Sequence, residues 1–184
     1  MNKTMKLLII PLLFLFGCEQ GIDVSSPPPE ASHQYKLIKL PERMGMGVES
    51  QTYSMSINGS EDTEFQRSFS YESGNGTVYQ FSDLDFYSGA FSGTQNISMT
   101  FNTGGAAMEF GPSMQFNVPV EYTYKITGVD LSGVDPNTLT FVYIDSNGNM
   151  SPVEYDYVYM DASIGLLKVK NAKLNHFSRY GFVN

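Results

Sequence analysis

A histidine and a serine stand two residues apart near the C-terminus, in the stretch NHFSRYGFVN of residues 175–184. Residues i and i+2 of an extended chain share one face, about 6.5–7 Å apart. A local kink would bring the His176 imidazole within the ~3 Å at which it takes the proton of the Ser178 hydroxyl. The stretch also suits the last strand of a β fold in which Phe177 enters the core. These reactive and structural interpretations imply different proteins.

Cys18 is the only cysteine, and it follows a basic head and an apolar run over residues 7–16. The run has the length of a signal peptide and is shorter than the roughly 20 residues of a spanning helix. Its end, Leu-Phe-Gly-Cys, resembles the lipobox of bacterial lipoproteins. The resemblance implies removal of residues 1–17, a diacylglycerol on the Cys18 thiol and an acylated amino group, which together make a stable membrane anchor. The alternative is an ordinary secretory signal with a chance cysteine.

The next residues, EQGIDVSSPPPEASH (19–33), have few large apolar side chains and a Ser-Ser-Pro-Pro-Pro core. Such a composition cannot form a packed core and is typical of a semi-extended tether. A Pro-rich ligand for a partner is the alternative. We therefore divide the chain into a leader (1–17), a lipidated tether (18–34) and one domain (35–184).

The chain carries 19 acidic and 11 basic residues, a formal charge of −8, and loss of the leader removes two lysines. An acidic chain of this kind lacks the clustered Lys and Arg that phosphate contacts need, which argues against a nucleic-acid partner. The predicted mature domain has no cysteine beyond the anchor, so burial alone must stabilise it. About 150 residues are enough for one such core.

From Tyr35 onward the apolar residues recur with a period of two, the signature of half-buried strands. In VPVEYTYKI (118–126) the odd and even positions after Val118 alternate between apolar and polar. LTFVYI (139–144) is apolar on both faces, as in a central strand. Turn signals such as Asn58-Gly59 and Gly74-Asn75-Gly76 separate the runs. The sequence therefore predicts an all-β fold, an antiparallel β-sandwich.

Five pieces of the sequence, in order, resemble the ZU-five domain and its bacterial relatives. They are Gly89-Ala90-Phe91, Phe110-Gly111-Pro112 with Phe116 to Val120, Val134 to Val153, Asp161 to Val169, and the final His-Phe-Ser-x-Tyr of 176–180. The match covers about residues 76–184. It implies a β-sandwich used chiefly for binding or docking. Residues 34–73 lie outside the pattern, and we expect them to add edge strands.

Some proteins related to this family cut themselves between the Phe and Ser of such a motif. That resemblance implies Ser178 as nucleophile, His176 as its base and the Phe177–Ser178 peptide as the bond cut, which also requires an oxyanion donor. Against it, cutting would detach only seven residues, and no acidic residue lies close in sequence to orient the imidazole. We expect the structural role, with Phe177 in the core and His176 and Ser178 satisfying local backbone groups.

We expect no metal and no cofactor. DSNGN (145–149) hints at a calcium loop, with Asp156 at the twelfth position, but its glycine is misplaced and carboxylates are missing at the third and fifth positions. An Asn147-Gly148 hairpin turn explains the stretch more simply. His33 falls in the tether, so it makes no metal pair with His176.

The best binding candidate is the row Tyr155, Tyr157 and Tyr159 in VEYDYVYM. Because the other face of this strand is mixed, we expect the tyrosines to form its inner, buried row. If exposed, three phenols would instead make a rigid adhesive surface for protein or glycan.

The sequence thus favours a non-enzymatic, lipid-anchored module that binds another component of the bacterial cell envelope. Self-cleavage at Phe177–Ser178 is the alternative. Because Glu19, and not Asp, follows Cys18, we expect outer-membrane placement in a two-membrane cell.

Overall fold

The computed structural model describes residues 35–45 and 50–184, which contain eleven β-strands and no helix. In chain order they are β1 (Ser50–Asn58), β2 (Thr63–Ser73), β3 (Gly76–Phe86), β4 (Thr94–Asn102), β5 (Ala107–Gly111), β6 (Gln115–Thr127), β7 (Thr140–Ile144), β8 (Met150–Pro152), β9 (Tyr157–Asp161), β10 (Leu166–His176) and β11 (Arg179–Val183). Within these described ranges no helix is apolar and long enough to cross a membrane. The leader, Cys18 and the tether, which includes His33, lie outside them.

The strands pair antiparallel in two sheets. One has six strands in the order β1-β4-β5-β11-β7-β8, and the other has five in the order β2-β3-β6-β10-β9. Their apolar faces enclose one main core. The all-β prediction of two packed antiparallel sheets is confirmed.

Strand β6 shows why the alternation produces this core. Its inward residues Val120, Tyr122, Tyr124 and Ile126 are fully buried. The two buried phenols find partners on the inner face of β3, where the Ser82 hydroxyl donates to Tyr122 and the Tyr124 hydroxyl donates to the side chain of Gln80. Buried polar groups need such partners, so β3 carries polar residues at positions that face the core.

The segment before residue 74 supplies one edge of each sheet, because β1 and β2 are both terminal strands. The expectation that residues 34–73 add edge strands is therefore confirmed for β1 and β2. Each pairs along its whole length, β1 with β4 and β2 with β3.

Strand β7 is buried on both faces, as its sequence predicts. Phe141 lies in the main core, and Val142 belongs to a smaller cluster on the opposite side of the sheet. The N-terminal segment (residues 35–45) covers this cluster, with Leu37 bridged to Val183 of β11. Gly181 leaves the room for Leu37, since a Cβ there would lie 3.0 Å from Leu37 Cδ1.

The stretch DSNGN forms the connection between β7 and β8, which confirms the predicted hairpin turn. The Asp145 carboxylate accepts from the backbone of Asn147 and Asn149, each at 2.8 Å, and Gly148 has a φ of 83°. Local donors thus occupy the carboxylate that the calcium-loop interpretation would use.

Candidate functional site

The His-Phe-Ser stretch forms the corner at which the chain leaves one sheet for the other. His176 ends β10 in the five-stranded sheet, and Arg179 begins β11 in the six-stranded sheet. The backbone of the corner is held on both sides. Phe177 N donates to Met114 O at 2.9 Å, and Phe110 N donates to Ser178 O at 2.8 Å.

Phe177 enters the core, as the structural interpretation predicts. Only 1% of its surface is exposed. Its ring meets those of Phe116, Phe110 and Phe86 at centroid distances of 4.7, 5.4 and 6.1 Å. Aromatic contacts of this kind add to the stabilisation from buried area.

Ser178 and His176 line one side of a shallow cleft of about 360 Å³ without bonding to each other. The Ser178 hydroxyl donates instead to Ile144 O, at 3.5 Å. The imidazole packs edge-on against Tyr143, with ring centroids 4.5 Å apart. Ser178 therefore satisfies a backbone group as expected, but that group lies on β7, 34 residues away in sequence, and not locally. The His176 side chain makes an aromatic contact in place of the expected backbone bond.

Tyr180 also belongs to this corner, and no structural role was predicted for it from the sequence. Its hydroxyl donates to His176 O at 2.6 Å, four residues back along the chain. Burial raises the pKa of Tyr180 well above that of an ordinary tyrosine. A tyrosine that ties back to upstream backbone across a corner is a device of immunoglobulin-like sandwiches. The only sequence feature that pointed to this bond was the final Tyr of the His-Phe-Ser-x-Tyr motif.

The three tyrosines of residues 155–159 do not share a face, and the prediction of a buried inner row is wrong for two of them. Tyr157 and Tyr159 are 45% and 49% exposed, while Val158 packs against the core between them. Tyr155 lies before β9, packs against the core and bonds to Thr140 through its hydroxyl.

A β-bulge in the neighbouring strand is the physical reason. The β10–β6 register shifts between Val169 and Ala172, and Asn171 adopts a φ of 53°. An inserted residue reverses which side chains face inward, so Val169 and Ala172 are both buried. Asp156, opposite the bulge, bonds through its backbone to Lys170 O, and the inward parity changes there too.

The exposed tyrosines lie beside lysines on the outer face of the five-stranded sheet. Tyr159 is directly opposite Lys168, and Tyr157 is opposite Lys170. Lys168 Nζ lies 5.5 Å from the centroid of the Tyr157 ring, a cation–π distance. Lys168 also faces Lys125 across the β10–β6 pair. We call Tyr157, Tyr159, Lys168 and Lys170 the tyrosine–lysine face.

An acidic cluster that sequence reasoning missed lies toward the other edge of the same face. Glu64 of β2 and Asp83 and Asp85 of β3 approach one another within 4.8 Å through carboxylate oxygens. Burial raises the pKa of Asp83 to about 6, and the charges of Asp85 and Glu64 act in the same direction. The alternation in SDLDF was the available signal, because it places both aspartates outward.

The chain matches no protein-family model, no curated protein and no solved structure at a significant level. The ZU-five resemblance therefore rests on the five pieces of sequence quoted above and stays a prediction. So do the lipobox and the lipidation of Cys18, which lie outside the described residues.

Proposed function

We propose that this chain is a lipid-anchored, extracytoplasmic β-sandwich that acts as a non-enzymatic binding module of the bacterial cell envelope. The observation that carries the binding part is the tyrosine–lysine face, since Tyr157 and Tyr159 are large, half-exposed and side by side. The anchor part is supported by the leader sequence, Cys18 and the Pro-rich tether.

The tyrosine–lysine face has the properties of a recognition surface. Tyrosine offers a large, rigid contact area at a small loss of conformational entropy, and it is enriched where proteins bind partners. Strand β9 is an edge of its sheet, which makes the face accessible from the side as well as from above. An envelope protein or a glycan with acidic groups would complement the lysines.

The anchor is tested by feeding cells radioactive palmitate and recovering the protein. We expect the wild-type protein to carry the label and to be found in the membrane fraction. A Cys18→Ser variant should be unlabelled and absent from that fraction. Separation of the two membranes then checks outer-membrane placement. A labelled Cys18→Ser variant, or an unlabelled wild type, contradicts the anchor and leaves the binding proposal standing.

The binding role is tested by chemical crosslinking of the anchored protein in its native envelope. We expect a specific crosslinked partner that is lost in the double variant Tyr157→Ala, Tyr159→Ala. Tyr79→Ala is the matched control, because Tyr79 is 39% exposed on the same sheet but lies outside this face. Equal crosslinking by all three proteins contradicts the role of the tyrosines.

Self-cleavage between Phe177 and Ser178 is the competing proposal, supported by the cleft that His176 and Ser178 both line. Cleavage would leave β11 in place between β5 and β7, so a nick has to be sought by mass spectrometry after denaturation. Loss of residues 178–184 from the wild type, absent from Ser178→Ala, would establish this activity. An intact mass for both excludes it.

A further inference from the structure

Three carboxylates converge on the outer face of the five-stranded sheet. Glu64 of β2 is directly opposite Asp85 of β3, and Asp83 is two residues from Asp85 on the same face. One oxygen from each lies within 4.8 Å of the others. Like charges at such distances repel, so an arrangement of this kind needs a compensating positive charge or a bound proton.

Asp83 is the unusual member of the cluster. Only 9% of its surface is exposed, although it stands on the outer face. Gln66 Nε2 donates to its Oδ2 at 3.3 Å, but its Oδ1 is buried and accepts no hydrogen bond. An unpartnered buried carboxylate oxygen is costly and rare in native proteins, and a cation offsets that cost more fully than a neutral donor does.

We propose that Glu64, Asp83 and Asp85 bind a calcium ion. Calcium takes oxygen ligands at about 2.3–2.6 Å, so two ligands of one ion lie up to about 5 Å apart. One oxygen from each of the three side chains lies within 4.8 Å of the others, so the three can share one calcium ion. Magnesium demands near-ideal octahedral geometry and gives up its waters reluctantly, so it suits a cluster of three carboxylates less well than calcium does.

The surroundings supply access and further ligands. A depression of about 420 Å³ adjoins the cluster and is lined by Glu64 and Asp85, which leaves space for the waters that complete a sphere of six to eight oxygens. The Gln66 amide now donates to both Glu64 and Asp83. A half-turn about its terminal bond would present its carbonyl oxygen to the ion instead.

Lys170 of β10 is the cation whose charge acts on this site. It lowers the pKa of both Asp83 and Asp85, yet no ion pair joins it to either carboxylate in the described part of the chain. Its pull on the two carboxylates is thus partial. The site does not depend on the lipid anchor, and it shares only Lys170 with the tyrosine–lysine face.

Calcium binding by the purified full-length protein is the test, measured by titration calorimetry and by thermal unfolding in EDTA, in CaCl₂ and in MgCl₂. We expect binding in the range of about 0.1–1 mM that extracellular modules show, and a higher Tm in calcium than in magnesium. Asp83→Asn should abolish the calcium shift while its Tm in EDTA equals or exceeds that of the wild type, because the substitution removes a repelled buried charge.

Two variants complete the design. Glu64→Gln should weaken calcium binding at least about tenfold. Glu72→Gln, an exposed glutamate on the same strand, should leave it unchanged. No heat and no Tm shift at about 5 mM calcium would overturn the proposal and leave a shared proton as the compensating charge. A calcium shift that Asp83→Asn retains, or that Glu72→Gln abolishes, would overturn it as well.

Discussion

Hydrogen bonds from individual side chains hold the corner between β10 and β11, and the His-Phe-Ser-x-Tyr motif alone does not indicate them. The Tyr180 hydroxyl binds the carbonyl of His176, and the Ser178 hydroxyl binds that of Ile144 over a longer distance. From sequence, the inward direction of Phe177 was predictable, because alternation settles it. The Tyr180 bond was not, since it depends on a turn of the backbone that no pattern of residue types specifies.

Removal of the Tyr180 hydroxyl should be costly. Tyr180→Phe leaves His176 O without its partner beside a buried ring, and we expect a loss of about 1–2 kcal/mol in the free energy of unfolding by urea denaturation. Tyr53→Phe is the control, because the Tyr53 hydroxyl makes a 3.3 Å bond to Ser68 O near the surface. Equal losses in the two variants would contradict the role of Tyr180.

The buried phenol of Tyr71 predicts a loss of stability in alkali. Its hydroxyl donates to Pro41 O at 2.8 Å, and burial raises the pKa of Tyr71 from 10.0 to about 12. The native state therefore keeps this proton longer than the unfolded state does. The contribution is complete below pH 10 and is lost as the pH rises from about 10 to about 12, by an amount of order 2 kcal/mol.

Urea denaturation between pH 8 and 12 checks this prediction. Stability should fall less steeply above pH 10 in Tyr71→Phe than in the wild type. Burial also raises the pKa of Tyr122, Tyr124 and Tyr180. The free energy of unfolding of Tyr71→Phe should therefore still fall above pH 10, but by less than that of the wild type. The free energy of unfolding of each protein is compared with its own value at pH 8. If the two proteins lose the same free energy between pH 8 and pH 12, the assignment to Tyr71 is refuted.

Strands β9 and β10 show where pattern reasoning fails at the level of elements. Alternation alone gave the correct inward face of β6, which pairs without interruption along Tyr79–Asp85 of β3. It gave the wrong face for Tyr157 and Tyr159, because the bulge at Asn171 reverses the parity of the neighbouring strand. The acidic cluster escaped detection for a related reason, since Glu64 meets Asp85 only through the register of β2 on β3.

The corner between β10 and β11 should depend on Phe177 far more than on Ser178. Phe177→Ala removes a fully buried ring from an aromatic cluster, and we expect a loss of about 3–5 kcal/mol in the free energy of unfolding. Ser178→Ala removes one long hydrogen bond and should cost less than about 1 kcal/mol. Chemical denaturation measures both, and a larger loss for Ser178→Ala would show that the corner is held otherwise.

On the scale of the whole molecule, the N-terminal segment ties the two sheets together. It bonds reciprocally with the last residue, Lys36 to Asn184, and then reaches β2, where Met44 N donates to Glu72 O. Sequence patterns predicted the two sheets and their edge strands but not that the N-terminal segment joins them. Its attachment depends on the absence of side chains at Gly105 and Gly181, against which Leu37 packs.

Gly181→Ala should weaken the packing of the N-terminal segment against β11. The added Cβ would lie 2.8 Å from both Ala106 O and Ala107 Cβ as well as against Leu37, and overpacking of this kind costs about 1–3 kcal/mol. Gly133→Ala is the matched control, because nothing lies within 4 Å of a Cβ there. Thermal unfolding should show a lower Tm for Gly181→Ala alone, and equal values for both variants would contradict this account.

The position of Lys36 beside Asn184 has a mechanical consequence. Tension on the residues that precede Tyr35 would pass through these bonds into β11, which is hydrogen-bonded to a strand on each side. An interior strand shares a load with two neighbours, whereas an edge strand would peel. If the domain is tethered by its front end, any pull from the tether is therefore spread across the middle of the larger sheet.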